Sequence, residues 1–559
     1  MKAEKLYLGN IITMDEVKPR AEALTVVGDK IQYVGSEKTA RSLCDENTEV
    51  FDFKGQTIYP GFIDSHTHPA VAGSRAIGQA DLNGLPIGDL KSYGPIIKEF
   101  IEKHPEMDVY MAAGWNEGED GEPTHEFLDE IYSEKPLLMN TSGGHSLLLN
   151  KKAMEKWGIT ADYAKEAGYD LVHVDDNGEP TGYVCEGVAV KIAQEIMAST
   201  PLETTKELIM FWQNYAASNG LTGSVDAGSE GFVLNDNDAI KILDDEGKLK
   251  FNFYSYVLVP DNPDNPKAEI DRIKKIKDEK ETKHLKIIGP KAFLDGVMEA
   301  RTSWMNCAYA DDPEYYGNQR FNDHDKMVEL ITYASKNNMS VHVHSEGSGA
   351  TTFMLGCIED SQKETGDMDQ RNALAHLHFV EEEDLQRLAD TNSVALVPPT
   401  WVPKIPGAIE LEISRIGQEW SDKSYPIKSF FDAGAVTVFH SDYPIGGSVD
   451  IPLSIYTGVT RAYPPTEDIL AALPGATAET LKMTARGEDQ AISREQSLRA
   501  QTIDVARMVH AEDKVGSLEI GKLANLSIFD TDFLTCELEK IMDAQVVATV
   551  IDGEIVYKK

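Results

Sequence analysis

Cysteine is scarce in this chain of 559 residues, with only Cys44, Cys185, Cys307, Cys357 and Cys536. None belongs to a Cys-x-x-Cys pair and the number is odd, which excludes a zinc ribbon and a disulfide framework. Long apolar runs are missing as well: no stretch of about 18 apolar residues occurs that could cross a membrane. The opening MKAEKLYLGNIITMDE lacks both an apolar core and a small-residue cleavage site, so a cytoplasmic protein is expected. Positive charge is short, with 53 Lys+Arg against 93 Asp+Glu and a formal net charge of −40. Nucleic acid and anionic membrane surfaces both demand a basic footprint, so neither is expected as a partner. A small neutral or cationic molecule remains open. There is no internal repeat and no low-complexity tract. With 41% hydrophobic and 26% charged residues, the chain has enough apolar material to fold rather than stay disordered.

Both ends are β-rich. LYLGNIITM, EALTVVGDKIQYVG and VFDFKGQTIYPGF alternate apolar and polar positions, and so do GSLEIGKLANLSIFD and VVATVIDGEIVYKK near the other end. Neither set makes a domain alone, so residues 1–61 and 515–559 are expected to pair into one small β-sandwich. Between them, residues 62–514 alternate in type. Apolar runs at 62–66, 221–226, 251–258, 286–294, 340–344, 373–377, 393–397 and 435–440 read as buried strands. Helical patterns intervene at 203–219, 265–280, 325–337, 381–391 and 426–433. Eight strands separated by helices predict an α/β fold, a closed (β/α)8 TIM barrel. Residues 69–220 are too many for one connection and predict a large insertion after the first barrel strand. The stretch 401–426 follows the seventh strand and is a candidate lid loop.

The histidines carry the chemistry. Three His-x-His pairs stand among 14 histidines: His66/His68, His342/His344 and His376/His378, joined by His440-x-Asp442. Each closes an apolar run: GFIDSHTH, MSVHVHSEG, NALAHLHF and AVTVFHSD. Residues i and i+2 of a strand share a face, so each pair is expected to project into the barrel mouth. Imidazole and carboxylate there suit Zn²⁺ and other divalent first-row metals. A single buried histidine is usually satisfied by a backbone carbonyl, but four such pairs on four strands favour a metal centre.

PGFIDSHTHP (60–69) resembles the first-strand metal motif of the amidohydrolase superfamily, and GSLEIGKLANLSIFD (516–530) resembles that superfamily's returning sandwich strand, with Asn525 where relatives carry Asp. SGGHSLLLNKKAM, NGEPTGYVCEG, GPKAFLDG, HVHSEGSGA, ALAHLHFV and HSDYPIGG follow in the order of the amidohydrolase-3, YtcJ-like group, which includes N-substituted formamide deformylases. The resemblance covers nearly the whole chain and is weak on substrate.

It implies roles residue by residue. His66, His68, His344, His376 and Asp442 match metal ligands. Lys291 matches a bridging ligand carboxylated by CO₂; a plain ion pair with an acid such as Asp295 is the other reading, and Glu186 is the alternative bridge. Asp442 matches the general base. His145 matches a group that donates to the substrate carbonyl or oxyanion. Trp115 and Asn116 match a pocket-lining stretch, and His342 and His378 are left to orient ligands or touch substrate. The implied cofactor is one or two divalent ions, Zn²⁺ foremost. The implied activity is hydrolysis of a non-peptide C–N bond of a small amide, formamide or cyclic amide by metal-activated water. A heterocycle deaminase, a lactonase or esterase, and a non-catalytic scaffold are the alternatives. The expected assembly is a homo-oligomer, a dimer.

Overall fold

A computed structural model describes residues 1–82, 90–115, 123–141, 146–169, 171–403, 408–472, 477, 481 and 486–559. It separates into two compact units. The first holds Met1–His68, Gln213–Gly231 and Ile240–Lys559; the second holds Pro69–Trp212 and Phe232–Ala239.

The first unit contains a parallel sheet of eight strands in sequential order. They are β1 (Phe62–Thr67), β2 (Leu221–Ser229), β3 (Asn252–Leu258), β4 (Leu285–Phe293), β5 (His342–Ser345), β6 (Ala373–His376), β7 (Val394–Val397) and β8 (Val436–Phe439). Nearly every residue of these strands is buried, as a parallel sheet covered on both faces requires. The sheet closes where β8 meets β1: Ser65 Oγ donates to the Phe439 carbonyl at 2.7 Å. Two main-chain bonds continue the seam, Asp442 N–H to His66 O at 3.0 Å and His68 N–H to Tyr443 O at 2.9 Å. The expected TIM barrel is present.

Its interior is packed. Ile63, Val225, Tyr256, Ala375, Leu396 and Val438 fill the lumen, and Val505, Met508 and Val515 plug the end opposite the strand C-termini. Truncating such a side chain, Leu396→Ala for example, removes about 2–5 kcal/mol. The helices between strands begin and end where local chemistry dictates. Pro266–Lys280 opens on Asn265, whose side chain accepts from Ala268 N–H. Ser348–Thr365 stops at Gly366 in the left-handed conformation. Glu382–Asp390 begins with Glu382, Glu383 and Asp384, acids that suit the positive end of the helix dipole.

The two β-rich ends form one sheet of seven strands. Its order is Glu554–Lys558, Val546–Ile551, Leu526–Phe529, Glu49–Pro60, Lys5–Ile12, Arg20–Val27 and Lys30–Gly35. Tyr7, Leu24, Ile58, Ile528 and Val550 form its own apolar core. One residue, Gly61, joins this sheet to β1, and a Cβ there would lie 2.0 Å from Thr222 Oγ1, so the junction needs glycine.

The second unit carries a mixed six-stranded sheet, Ala80–Asp81, Tyr110–Trp115, Leu137–Thr141, Ser146–Leu149, Pro180–Cys185 and Val172–Val174. Apolar clusters cover it, one around Trp115, Leu137 and Met139, another around Leu138, Leu147 and Val184. No helix among the described residues is long and apolar enough to cross a membrane.

Candidate metal centre

The strand C-termini bring the histidines together. His66 and His68 stand at the end of β1, and Asp442 lies three residues past β8 at φ 54°. One ligand atom from each of these three lies within 4.8 Å of the others. The Nε2 atoms of His66 and His68 sit 3.4 and 3.3 Å from Asp442 Oδ1. All three residues are buried. The left-handed backbone of Asp442, unusual for a residue other than glycine, turns its carboxylate back over the mouth.

Neighbouring rings complete the cluster. His376 lies 5.1 Å from His66 and 4.4 Å from His344 between ring centroids. Trp401 stacks on His376, with an interplanar angle of 6°. His440 lies 5.1 Å from both His66 and His376. Burial and the charge of Lys291 hold His66 and His342 well below the usual imidazole range. Burial, then the neighbouring imidazoles, does the same to His376. His440 is brought down to about 4, again chiefly by burial. Neutral imidazoles are what a divalent metal needs as ligands.

Hydrogen bonds fix the ring orientations. His66 Nδ1 and His342 Nε2 are 3.0 Å apart. This pairing occupies the inner nitrogen of His66 and leaves its Nε2 facing Asp442. His344 Nδ1 is held at 2.8 Å by Asp295 Oδ1. Asp295 is itself fixed by the backbone N–H groups of Trp304, Glu346 and Gly347. Asp64 lies beneath, accepting from His66 N–H and Ser441 N–H, and burial raises its carboxyl to about 7.

Lys291, on β4 beside His342, is fully buried, and its Nζ has no hydrogen-bond partner among the described residues. Burial brings its ammonium down to about 7, against the opposing pull of Asp442. A buried, unpaired amine is costly unless neutralised or used. The set of neutral imidazoles, one carboxylate and this amine therefore fits a divalent metal. It also fits a carboxylated lysine: the amine is free to react, and Asp295 is committed to His344 rather than to Lys291.

His378 goes elsewhere. β6 ends at His376, where φ is 82°, and Leu377 follows at φ 44°. Two left-handed residues break the strand alternation, so His378 is not carried to the same face as His376. It stacks on Tyr425 at 4.1 Å and lies 3.5 Å from Glu346 and 3.3 Å from Glu412. These carboxylates hold it above the usual imidazole range against burial. Glu412 belongs to the helix Ala408–Ile416, within the candidate lid, and pairs with Arg486 at 2.9 and 3.0 Å. Residues 404–407 of that stretch lie outside the described residues.

His145 and Asn116 also lie outside the described residues. Trp115 and Glu186 belong to the second unit. Trp115 is fully buried there, edge-on to Tyr183, and Glu186 opens the helix Glu186–Ala198 with its side chain exposed. His342 is fully buried between His66 and Tyr256, so it positions a ring instead of facing solvent. Arg301 pairs with Asp311 and Asp312, and Arg461 is spent on the carbonyls of Arg486, Tyr425 and Ser424. Sequence reasoning passed over Asp64, Asp295 and Glu412 as partners of histidines. Asp64 carried a signal in its position two residues before His66, whereas Glu412 is joined only through tertiary contact.

The amidohydrolase family model matches residues 49–557. The chain belongs to this family. Among curated relatives, this amidohydrolase is 26% identical to the protein LONG AFTER FAR-RED 3 of Arabidopsis thaliana, across 98% of this chain and 90% of that one. It is 25% identical to the N-substituted formamide deformylase of Arthrobacter pascens, across 98% and 97%. An uncharacterized metal-dependent hydrolase from Pyrococcus horikoshii OT3 shares the fold, with a TM-score of 0.75 at 22% identity, across 96% of this chain and 99% of that one.

Proposed function

We propose that this amidohydrolase is a metal-dependent enzyme that hydrolyses a non-peptide C–N bond of a small amide, formamide or cyclic amide. The observation that carries the reading is the meeting of His66, His68 and Asp442 at the closing seam of the barrel. The name of the Arthrobacter relative favours N-substituted formamides as first substrates to try.

His66, His68 and Asp442 would hold one divalent ion, with His344 and His376 offered to a second and Lys291 between them. When bound, the ion, Zn²⁺ in this reading, would supply Lewis acidity for activating a water and the substrate carbonyl. Asp442 takes a proton from the attacking water and delivers it to the leaving nitrogen. Lys291, with its ammonium brought down to about 7, is partly neutral at that pH; the neutral amine adds through its nitrogen to CO₂ and loses a proton, giving an anion with two oxygens. His342 and Asp295 hold Nδ1 of His66 and of His344, which would leave the Nε2 atoms of both rings available to the ion.

The test is Asp442→Asn assayed on N-benzylformamide for formate, and on an aminated heterocycle for ammonia. The expected outcome is formate release by the wild type and a loss of about 10²-fold or more in the variant. Full turnover in the variant refutes the base. Ammonia without formate moves the assignment to a deaminase. Protein purified without stoichiometric metal, and inert after metal is added, revives the scaffold reading.

A further inference from the structure

At the opposite end of the barrel from the histidines lies a cavity of about 550 Å³, within the size range of small-molecule sites. It opens among the starts of β3 and β4, the end of the helix Pro266–Lys280, and the segment 509–523 that follows the barrel plug. Ile288, Val515 and Leu523 supply an apolar strip in its otherwise polar lining. Its charged lining reverses the sign of the molecule, which carries −40 overall. Lys277, Lys283, Lys286 and Lys514 line it, with His284 and His510, against Glu281, Asp367 and Asp369.

Those carboxylates are already engaged. Asp369 is held by both sides of the Arg371 guanidinium and by Asn392. Asp367 accepts from Ser335 Oγ, and Glu281 accepts from Ile287 N–H while standing 3.9 Å from Lys277. Lys283 and His284 are spent on Asp552. Lys286 donates to the Thr282 carbonyl, and among the described residues no carboxylate pairs with Lys286 or Lys514. Two ammonium groups therefore line the pocket without an ion pair among the described residues.

We infer that this cavity is a second ligand site, separate from the metal centre, for a small organic dianion with an apolar body. The two lysines take the charged head and Ile288, Val515 and Leu523 the body. A phosphate monoester and a dicarboxylate share this chemistry. Lysine binds such heads as a point charge, so the cavity favours charge and size over a fixed geometry.

Phenyl phosphate and phthalate are titrated in separate calorimetric arms onto the full-length protein at constant ionic strength, with sulfate as the dianion lacking an apolar body. The same titrations are run on the double variant Lys286→Gln/Lys514→Gln, whose fold is checked by circular dichroism. The expected result is saturable binding of at least one aromatic dianion with a dissociation constant on the order of 1 mM or below. Sulfate binds more weakly, and the double variant binds at least about tenfold more weakly while keeping its turnover. The arm that binds identifies the head group. The inference is overturned if neither aromatic dianion saturates, or if the double variant titrates like the wild type, which places the probe at the metal centre.

Discussion

At the scale of single residues, the pair His66–His342 shows how much of a candidate metal site lies behind its proposed ligands. His342 has no way to reach solvent, and its Nε2 serves the inner nitrogen of His66. Replacing it with leucine keeps the volume and removes the acceptor, so metal affinity should fall about 10–100-fold with the fold intact. Replacing it with glutamine restores an acceptor and should recover part of the loss. Competition with a chromophoric chelator measures both, and unchanged affinity in His342→Leu counts against the role. The residues His66 and His68 were legible from the sequence because strand alternation puts i and i+2 on one face. His376 and His378 look identical by that rule and yet part company. The rule assumes extended backbone, and here two left-handed residues intervene. Nothing in the spacing of HLH announces that turn.

At the scale of elements, two buried ionic links join distant segments. His284, at the start of β4, is held by Asp244 at 2.6 Å and by Asp552 of the last hairpin at 2.8 Å. Burial alone would lower its pKa, but the bonds to Asp552 and Asp244 win and hold it raised. Its contribution to stability is then complete below the unfolded value of about 6.5 and is lost as pH climbs through the raised folded value. Urea midpoints of wild type and His284→Leu should differ most near pH 6 and converge toward pH 9.5; a gap that widens with pH contradicts this sign. The second link is Glu412–Arg486, both buried, which ties the helix Ala408–Ile416 to residue 486. Removing one partner of a buried pair costs about 3–5 kcal/mol. Arg486→Leu should therefore raise hydrogen exchange across 408–423 well above that in β7; unchanged protection there shows the helix is held by packing alone. The eight barrel strands and the five helical stretches named from the sequence were readable to within three residues, since buried parallel strands are short unbroken apolar runs. These latches were not, because Glu412 and Arg486 are ordinary surface-like letters until the chain folds.

At the scale of the whole molecule, −40 is a self-repelling charge. Raising NaCl from about 10 mM to about 300 mM shortens the screening length from about 30 Å to under 10 Å, so Tm at pH 7 should rise. A scan at several salt concentrations tests it, and a falling Tm points instead to dominance by ion pairs such as Glu412–Arg486. The acidic balance carries no information about the candidate metal centre, whose donor groups are nearly all imidazoles.

The seven-stranded sheet also sets a clock on biosynthesis. Gly61 N–H bonds to the Asn525 carbonyl, and Phe62 N–H to Ser527 Oγ, a separation of 465 residues. At about 5–20 residues per second, a ribosome needs roughly 20 to 90 s to travel from one to the other. Throughout that interval the strand Glu49–Pro60 waits with one edge unpaired, and the first barrel strand stays unanchored at its entrance. Nascent chains stalled short of Leu526 should accordingly be cleaved near residue 60 by dilute protease, and chains stalled after Lys558 has left the exit tunnel should resist.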